Sequence, residues 1–139
     1  MKKQFIVIGL GRFGSSVATA LASAGNDVLG VDTSESLVED MAPFLTHAVQ
    51  ADATEEKSLK ALGITNFDVA VVAIGGDIQA SIMVTMLLKE LGVPKVVVKA
   101  QSDIHAKVLE RIGADKIVFP ERDMGNKLAL NLASENIID

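Results

Sequence analysis

An α/β domain with a six-stranded, doubly wound parallel sheet and helices on both faces is the fold this sequence predicts. Short apolar segments alternate with amphipathic ones along the whole chain, the pattern of strands joined by crossover helices. The segment DVAVVAI is continuously apolar, as suits a strand buried on both faces. Between the first strand and the first helix stands Gly9-Leu10-Gly11-Arg12-Phe13-Gly14, a turn rich in the one residue that tolerates unusual backbone angles.

In order, Gln4–Gly9 reads as strand one and Arg12–Gly25 as the helix after it. Asp27–Asp32 is strand two, followed by a helix that Ser34 caps and Pro43 disturbs, since proline lacks the N–H a helix interior needs. His47–Ala51 is strand three, and Thr54 caps a helix over Glu55–Leu62. Asp68–Ile74 is strand four. A long helix over Ile78–Leu91 stops at Gly92, just ahead of Pro94. Lys95–Ala100 is strand five, with Ser102 capping Asp103–Ile112. Lys116–Phe119 is strand six and Arg122–Asn136 the last helix. Six strands joined this way give the order 3-2-1-4-5-6, with a ligand crevice beside strand one.

Composition narrows the function. The 139 residues suit one domain, 1–139, with no repeat or linker. No apolar run approaches the roughly 18 residues needed to cross a bilayer, so a soluble, cytoplasmic chain is expected. The absence of cysteine excludes disulfides, zinc–thiolate sites and cysteine nucleophiles. With a net charge of −5, scattered lysines and arginines, and neither Tyr nor Trp, nothing favours nucleic acid.

The glycine motif carries the chemistry. It follows a strand, opens a helix, and precedes an acidic residue, Asp32, at the end of strand two. That context makes it a dinucleotide-type (Rossmann) fingerprint. Gly9 permits the tight turn, Gly11 lets backbone N–H groups approach phosphate oxygens, and Gly14 lets the helix pack on the sheet. The helix N-terminus supplies N–H donors and the positive end of a dipole. Asp32 is placed to accept from ribose hydroxyls, and its charge disfavours a 2′-phosphate. NAD, ATP, ADP and AMP share that ribose, so Asp32 selects adenosine rather than one molecule. Asp52 accepts from the adenine amino group or caps the next helix. Gly75 and Gly76 admit a ribose or phosphate, or simply form a turn. Arg12 is a bidentate phosphate donor or a solvated arginine. His47 and His105 read as structural.

Catalysis is not expected. A chain without Tyr has no Tyr–Lys pair of the short-chain dehydrogenase kind, and one helix after strand six leaves nothing to hold a second reactant. The long helix over Ile78–Leu91 is apolar nearly all round, so it has its own sheet on one side and something else on the other. Met124, Leu128 and Leu132 form a stripe suited to a second subunit.

Phe5–Gly14, Thr46–Val49, Ala53–Glu56, Val72–Gly75, Ile78–Ser81, Leu87–Leu91, Val98–Gln101, Val108–Glu110, Ile112–Asp115 and Pro120-Glu121 together resemble the RCK domain family, the regulators of potassium conductance also called TrkA N-terminal domains. Within it the likeness is to the regulatory subunits of Ktr-type potassium transporters. The resemblance implies a homodimer assembling into an octameric ring, docked on the inner face of the cell membrane against an integral-membrane potassium-transporter subunit. It implies gating by exchange of ATP and ADP. It places Arg12 and Glu121 at subunit contacts around the terminal phosphate, Glu121 acting through a divalent cation held by that phosphate. With the motif, it completes a candidate nucleotide-contacting set. That set comprises Gly9, Leu10, Gly11, Arg12, Phe13 and Gly14; Asp32 and Thr33; Asp52, Ala53 and Thr54; Ala73, Ile74 and Gly75; Lys99; and Glu121. Members of the family carry a second, C-terminal domain, which this sequence is not expected to include. The alternative reading is an NAD(H)-binding domain of an oxidoreductase or a redox-sensing regulator.

Overall fold

A computed structural model describes residues 2–134. Its six strands, β1 (Gln4–Ile8), β2 (Asp27–Asp32), β3 (His47–Gln50), β4 (Val69–Val72), β5 (Lys95–Lys99) and β6 (Lys116–Val118), form one sheet in the order β3-β2-β1-β4-β5-β6. Every pairing is parallel. Each crossover carries a helix: α1 (Arg12–Ser23), α2 (Glu35–Met41), α3 (Glu56–Ala61), α4 (Ile78–Glu90) and α5 (Asp103–Arg111), with α6 (Pro120–Ala133) following β6.

Side chains alternate across a strand, so each strand feeds two cores. Ile6 and Ile8 of β1 join Val72, Val96 and Val98 on the face covered by α4 and α5, with Val84, Leu88 and Leu109 from those helices. Val7, Val28 and Val71 face the other way, against Leu10 and Ala18 from α1 and its turn. Leu59, Leu88 and Leu109 are fully buried, and truncating any of them to Ala costs about 2–5 kcal/mol.

Ser34 and Ser102 cap their helices as expected, accepting from Leu37 N–H at 3.4 Å and His105 N–H at 3.1 Å. Pro43 ends α2 at Met41, and the chain continues as a tight turn of 3-10 helix over Ala42–Phe44. Gly92, at φ 86°, closes α4 ahead of Pro94.

Most elements end a residue or more short of expectation, β4 most of all, at Val69–Val72 in place of Asp68–Ile74, and a few differences have a plain local cause. The first helix stops at Ser23, because Ala24 caps it and Gly25 turns away at φ 93°. Thr54 does not cap α3: the cap position is Glu55, without a side-chain bond, and the Thr54 hydroxyl instead donates to Asp52. The helix there is accordingly shorter, Glu56–Ala61. The last helix begins at Pro120 rather than Arg122, since the fixed φ of proline suits a first helical position. Asn136, its expected end, lies outside the described residues.

Candidate functional site

The carboxyl ends of β1–β5 open on one cleft of about 680 Å³. The topology dictates this, because the crossovers leaving β1 and β4 diverge to opposite faces and leave a crevice between them.

The three motif glycines answer three different demands. Gly9 stands at φ 101°, and a Cβ there would lie 2.7 Å from the Ala73 carbonyl oxygen, so the turn passes beneath the end of β4 only without a side chain. Gly14 is buried, and a Cβ on it would run into the carbonyl oxygen of Gly9. Gly11 is different: its φ is an ordinary −71°, and a Cβ on it would meet nothing within 4 Å. Gly11 also sits at the cap position of α1 and makes no side-chain cap, and no acidic residue occupies the first turn. The positive end of α1 therefore faces the cleft unneutralised.

Asp32 is half-buried and held from two sides. Its Oδ2 accepts from Leu10 N–H at 2.8 Å and its Oδ1 from Ser34 N–H at 2.8 Å. Each oxygen keeps further lone-pair capacity for a ligand. Beside it, Gln50 donates to the Thr33 carbonyl at 3.0 Å, tying β3 to the loop after β2. Asp52 accepts at Oδ1 from both the amide and the hydroxyl of Thr54, at 3.0 and 2.6 Å. Those hydrogen bonds hold its carboxyl below the ordinary carboxylate range. Across the crevice, Asp77 caps α4, accepting from Ala80 N–H at 2.9 Å.

Gly9, Gly11, Arg12, Phe13, Asp32, Thr33, Asp52, Ala53, Thr54, Ala73, Ile74, Gly75 and Lys99 line this cleft, thirteen of the expected sixteen. Leu10 and Gly14 do not. Leu10 buries its side chain in the core and offers only its N–H, to Asp32. Glu121 lies in a neighbouring cleft of about 830 Å³, whose wall includes Arg12, Phe13 and Lys99 as well. The two clefts thus share two cations. Neither Arg12 nor Lys99 has an ion-pair partner among the described residues. No group of three His, Asp or Glu side chains suited to a metal occurs among those residues either.

Sequence reasoning missed Leu37, Asp77, Ala80 and Val84, which also line the cleft. Leu37 and Val84 pack in the two cores as well, so their spacing reads as helix periodicity alone. Asp77 carries a signal in retrospect, an acidic residue at the cap of a helix that starts after Gly75-Gly76.

A family model described as the TrkA-N domain matches residues 5–120. The chain is similar to Ktr system potassium uptake protein C of Bacillus subtilis, 54% identical over 100% of this chain and 63% of that protein. It is also similar to Ktr system potassium uptake protein A of the same organism, 55% identical over 99% of this chain and 62% of that protein. It thus spans less than two thirds of the length of these relatives. Among solved structures, the TrkA-N domain of the inner membrane protein ybaL from Escherichia coli superposes with a TM-score of 0.83 at 16% identity, covering 95% of this chain and 98% of that one. The GsuK channel bound to NAD gives 0.79 at 13%, covering 92% and 23%. The Kef C-terminal domain of Shewanella denitrificans in its AMP-bound form gives 0.75 at 23%, covering 94% and 80%. These structural likenesses establish the fold.

Proposed function

This chain belongs to the TrkA-N domain family, and on that premise we propose that it is the adenine-nucleotide-sensing regulatory domain of a potassium uptake system. Gly11 carries the reading. Gly9 and Gly14 are required by the chain itself, but nothing in the protein occupies the place of a Gly11 side chain. A missing side chain at an uncapped helix N-terminus is what a closely approaching phosphate needs. Asp32, anchored by two backbone donors at the edge of the same cleft, supplies the acceptor for a ribose. The role is binding rather than catalysis, since the cleft's carboxylates are fixed in place as acceptors. In this reading ATP and ADP exchange in the cleft, and the exchange changes the shape of a ring of these chains. The ring is built from dimers into an octamer on the cytoplasmic side of an integral-membrane potassium-transporter subunit, which it gates. Arg12 and Glu121 meet the terminal phosphate at the contact between subunits, Glu121 through a divalent cation.

A second reading keeps the adenosine half and replaces the terminal phosphate with a second nucleoside, making the ligand NAD(H). The GsuK channel, which has this fold, has been solved bound to NAD as well as to ADP.

Titration calorimetry of wild type, Gly11→Ala and Asp32→Ala with ATP, ADP, AMP and NAD⁺ tests the proposal. Gly11→Ala should keep its melting temperature while losing roughly ten- to hundredfold in affinity for every ligand that places phosphate there, the scale of lost charge-assisted hydrogen bonds. Asp32→Ala should lose a similar factor. Undiminished binding by Gly11→Ala would put the phosphate elsewhere.

A further inference from the structure

In the reading proposed above, the adenosine end lies at β2 and β3 and the first phosphates at the β1–α1 turn, so whatever follows them would face β4 and β5. There the cleft is lined by Gly75, Asp77, Ala80 and Lys99. Lys99 is the last residue of β5. Val96 and Val98 of that strand are fully buried on one face, so Val97 and Lys99 leave the sheet on the other, the face that carries α1. The Lys99 ammonium then lies over the β4–α4 turn, 3.8 Å from where a Cβ on Gly75 would be. It is half-buried and, among the described residues, has no acceptor. Lys89, by contrast, is held by Asp115 at 2.9 Å. The carboxylate on this side of the cleft, Asp77, is committed to the α4 N-terminus and forms no ion pair with Lys99. A partly desolvated ammonium without a counter-charge is costly unless a ligand brings an anion.

We propose that Lys99 determines ligand selectivity: it accepts the anionic terminal phosphate of an adenosine di- or triphosphate and disfavours the cationic nicotinamide ring of an oxidised dinucleotide. The proposal rests on the adenine-nucleotide reading above and decides between its two ligand classes. AMP lacks the terminal phosphate, and reduced dinucleotide lacks the ring charge. Those two ligands therefore separate charge recognition from general affinity.

Calorimetry with ADP, ATP, AMP, NAD⁺ and NADH on wild type, Lys99→Gln and Lys99→Arg provides the test. Lys99→Gln should lose about tenfold for ADP and ATP, the scale of one charge-assisted contact, and little for AMP. It should leave NAD⁺ binding unchanged or stronger and erase any preference for NADH over NAD⁺. Lys99→Arg should keep most of the wild-type selectivity. Equal losses for AMP, ADP and NAD⁺, or no loss for ADP, would overturn the role of Lys99 while the nucleotide site stands. A wild type that binds no adenine nucleotide would overturn both.

Discussion

His105 is buried between α4 and α5, and both of its ring nitrogens are engaged. Nδ1 accepts from Gln101 N–H at 3.1 Å, which leaves Nε2 to carry the proton and donate to Ser81 Oγ at 3.2 Å. A neutral ring satisfies both contacts, whereas a protonated one would set a donor against the Gln101 amide. Burial pushes the His105 pKa below its ordinary value. A histidine depressed in the folded state favours unfolding as it gains a proton, so its stabilisation is complete above about pH 6.5 and is lost as the pH falls. The melting temperature should therefore decline between about pH 7.5 and 5.5, a window above the range where the depressed carboxyls of Asp52 and Asp115 titrate. His105→Gln should melt lower throughout, with a flatter slope; equal slopes would assign the titration elsewhere. At this scale part was legible. Gly9 and Gly14 announce their roles by spacing, because backbone clashes have few residue solutions, and Asp32 announces its place at the end of β2. The Asp52–Thr54 pair was not, because aspartate and threonine serve equally as helix caps and as partners in a tight turn.

Among the elements, α6 is the one its own domain does not hold. From Glu121 to Ser134 every residue is exposed, and Met124, Leu128, Leu130 and Leu132 are 55–71% exposed. Its attachment is at its base. There Arg122 stacks on the Phe119 ring at 3.6 Å and pairs with Asp103 at 3.0 Å, while Asp123 accepts from Phe119 N–H at 2.9 Å. Gly125 stands inside the helix with nothing within 4 Å of a would-be Cβ, so it costs helix stability without serving contact inside the chain. Hydrogen exchange should accordingly find α6 the least protected helix in dilute, dissociated protein, because local opening there breaks few buried contacts. Gly125→Ala should raise its protection by up to about 1 kcal/mol and leave the sheet amides unchanged. Protection in α6 matching that of α4 would contradict this. The apolar periodicity of α6 was plain in the sequence, but its start was misplaced because a proline reads first as a breaker and only in context as a first helical residue. The strands were easier to place, since a parallel sheet buried on both faces demands apolar runs.

For the molecule as a whole, two apolar surfaces on different elements remain uncovered. One is α6, with Met124, Leu128 and Leu132 along one stripe. The other is on α4 and α5, where Ile78, Met83 and Met86 of the first and Ile104 of the second are each at least 40% exposed. The inward side of α4 is spent on Ser81, Val84, Thr85 and Leu88, with Ile82 and Leu87 packed beside them, so Ile78, Met83 and Met86 are the apolar side chains left without use inside the domain. Uncovered apolar surfaces of this kind mark interfaces. Two of them have a consequence that one would not. A single self-complementary patch closes at a dimer, whereas two such patches on each copy link dimers into a larger closed assembly. Light scattering at micromolar concentration should therefore give a mass well above twice 14.6 kDa for the wild type. Met83→Asp with Met86→Asp should reduce it to dimers joined through α6. Leu128→Asp with Leu132→Asp should reduce it to dimers joined through α4 and α5. All four changes together should give the monomer, with the thermal transition still cooperative because none of these side chains lies in the core. A monomeric wild type would remove both interfaces, and a monomer from either pair of changes alone would leave only one of them.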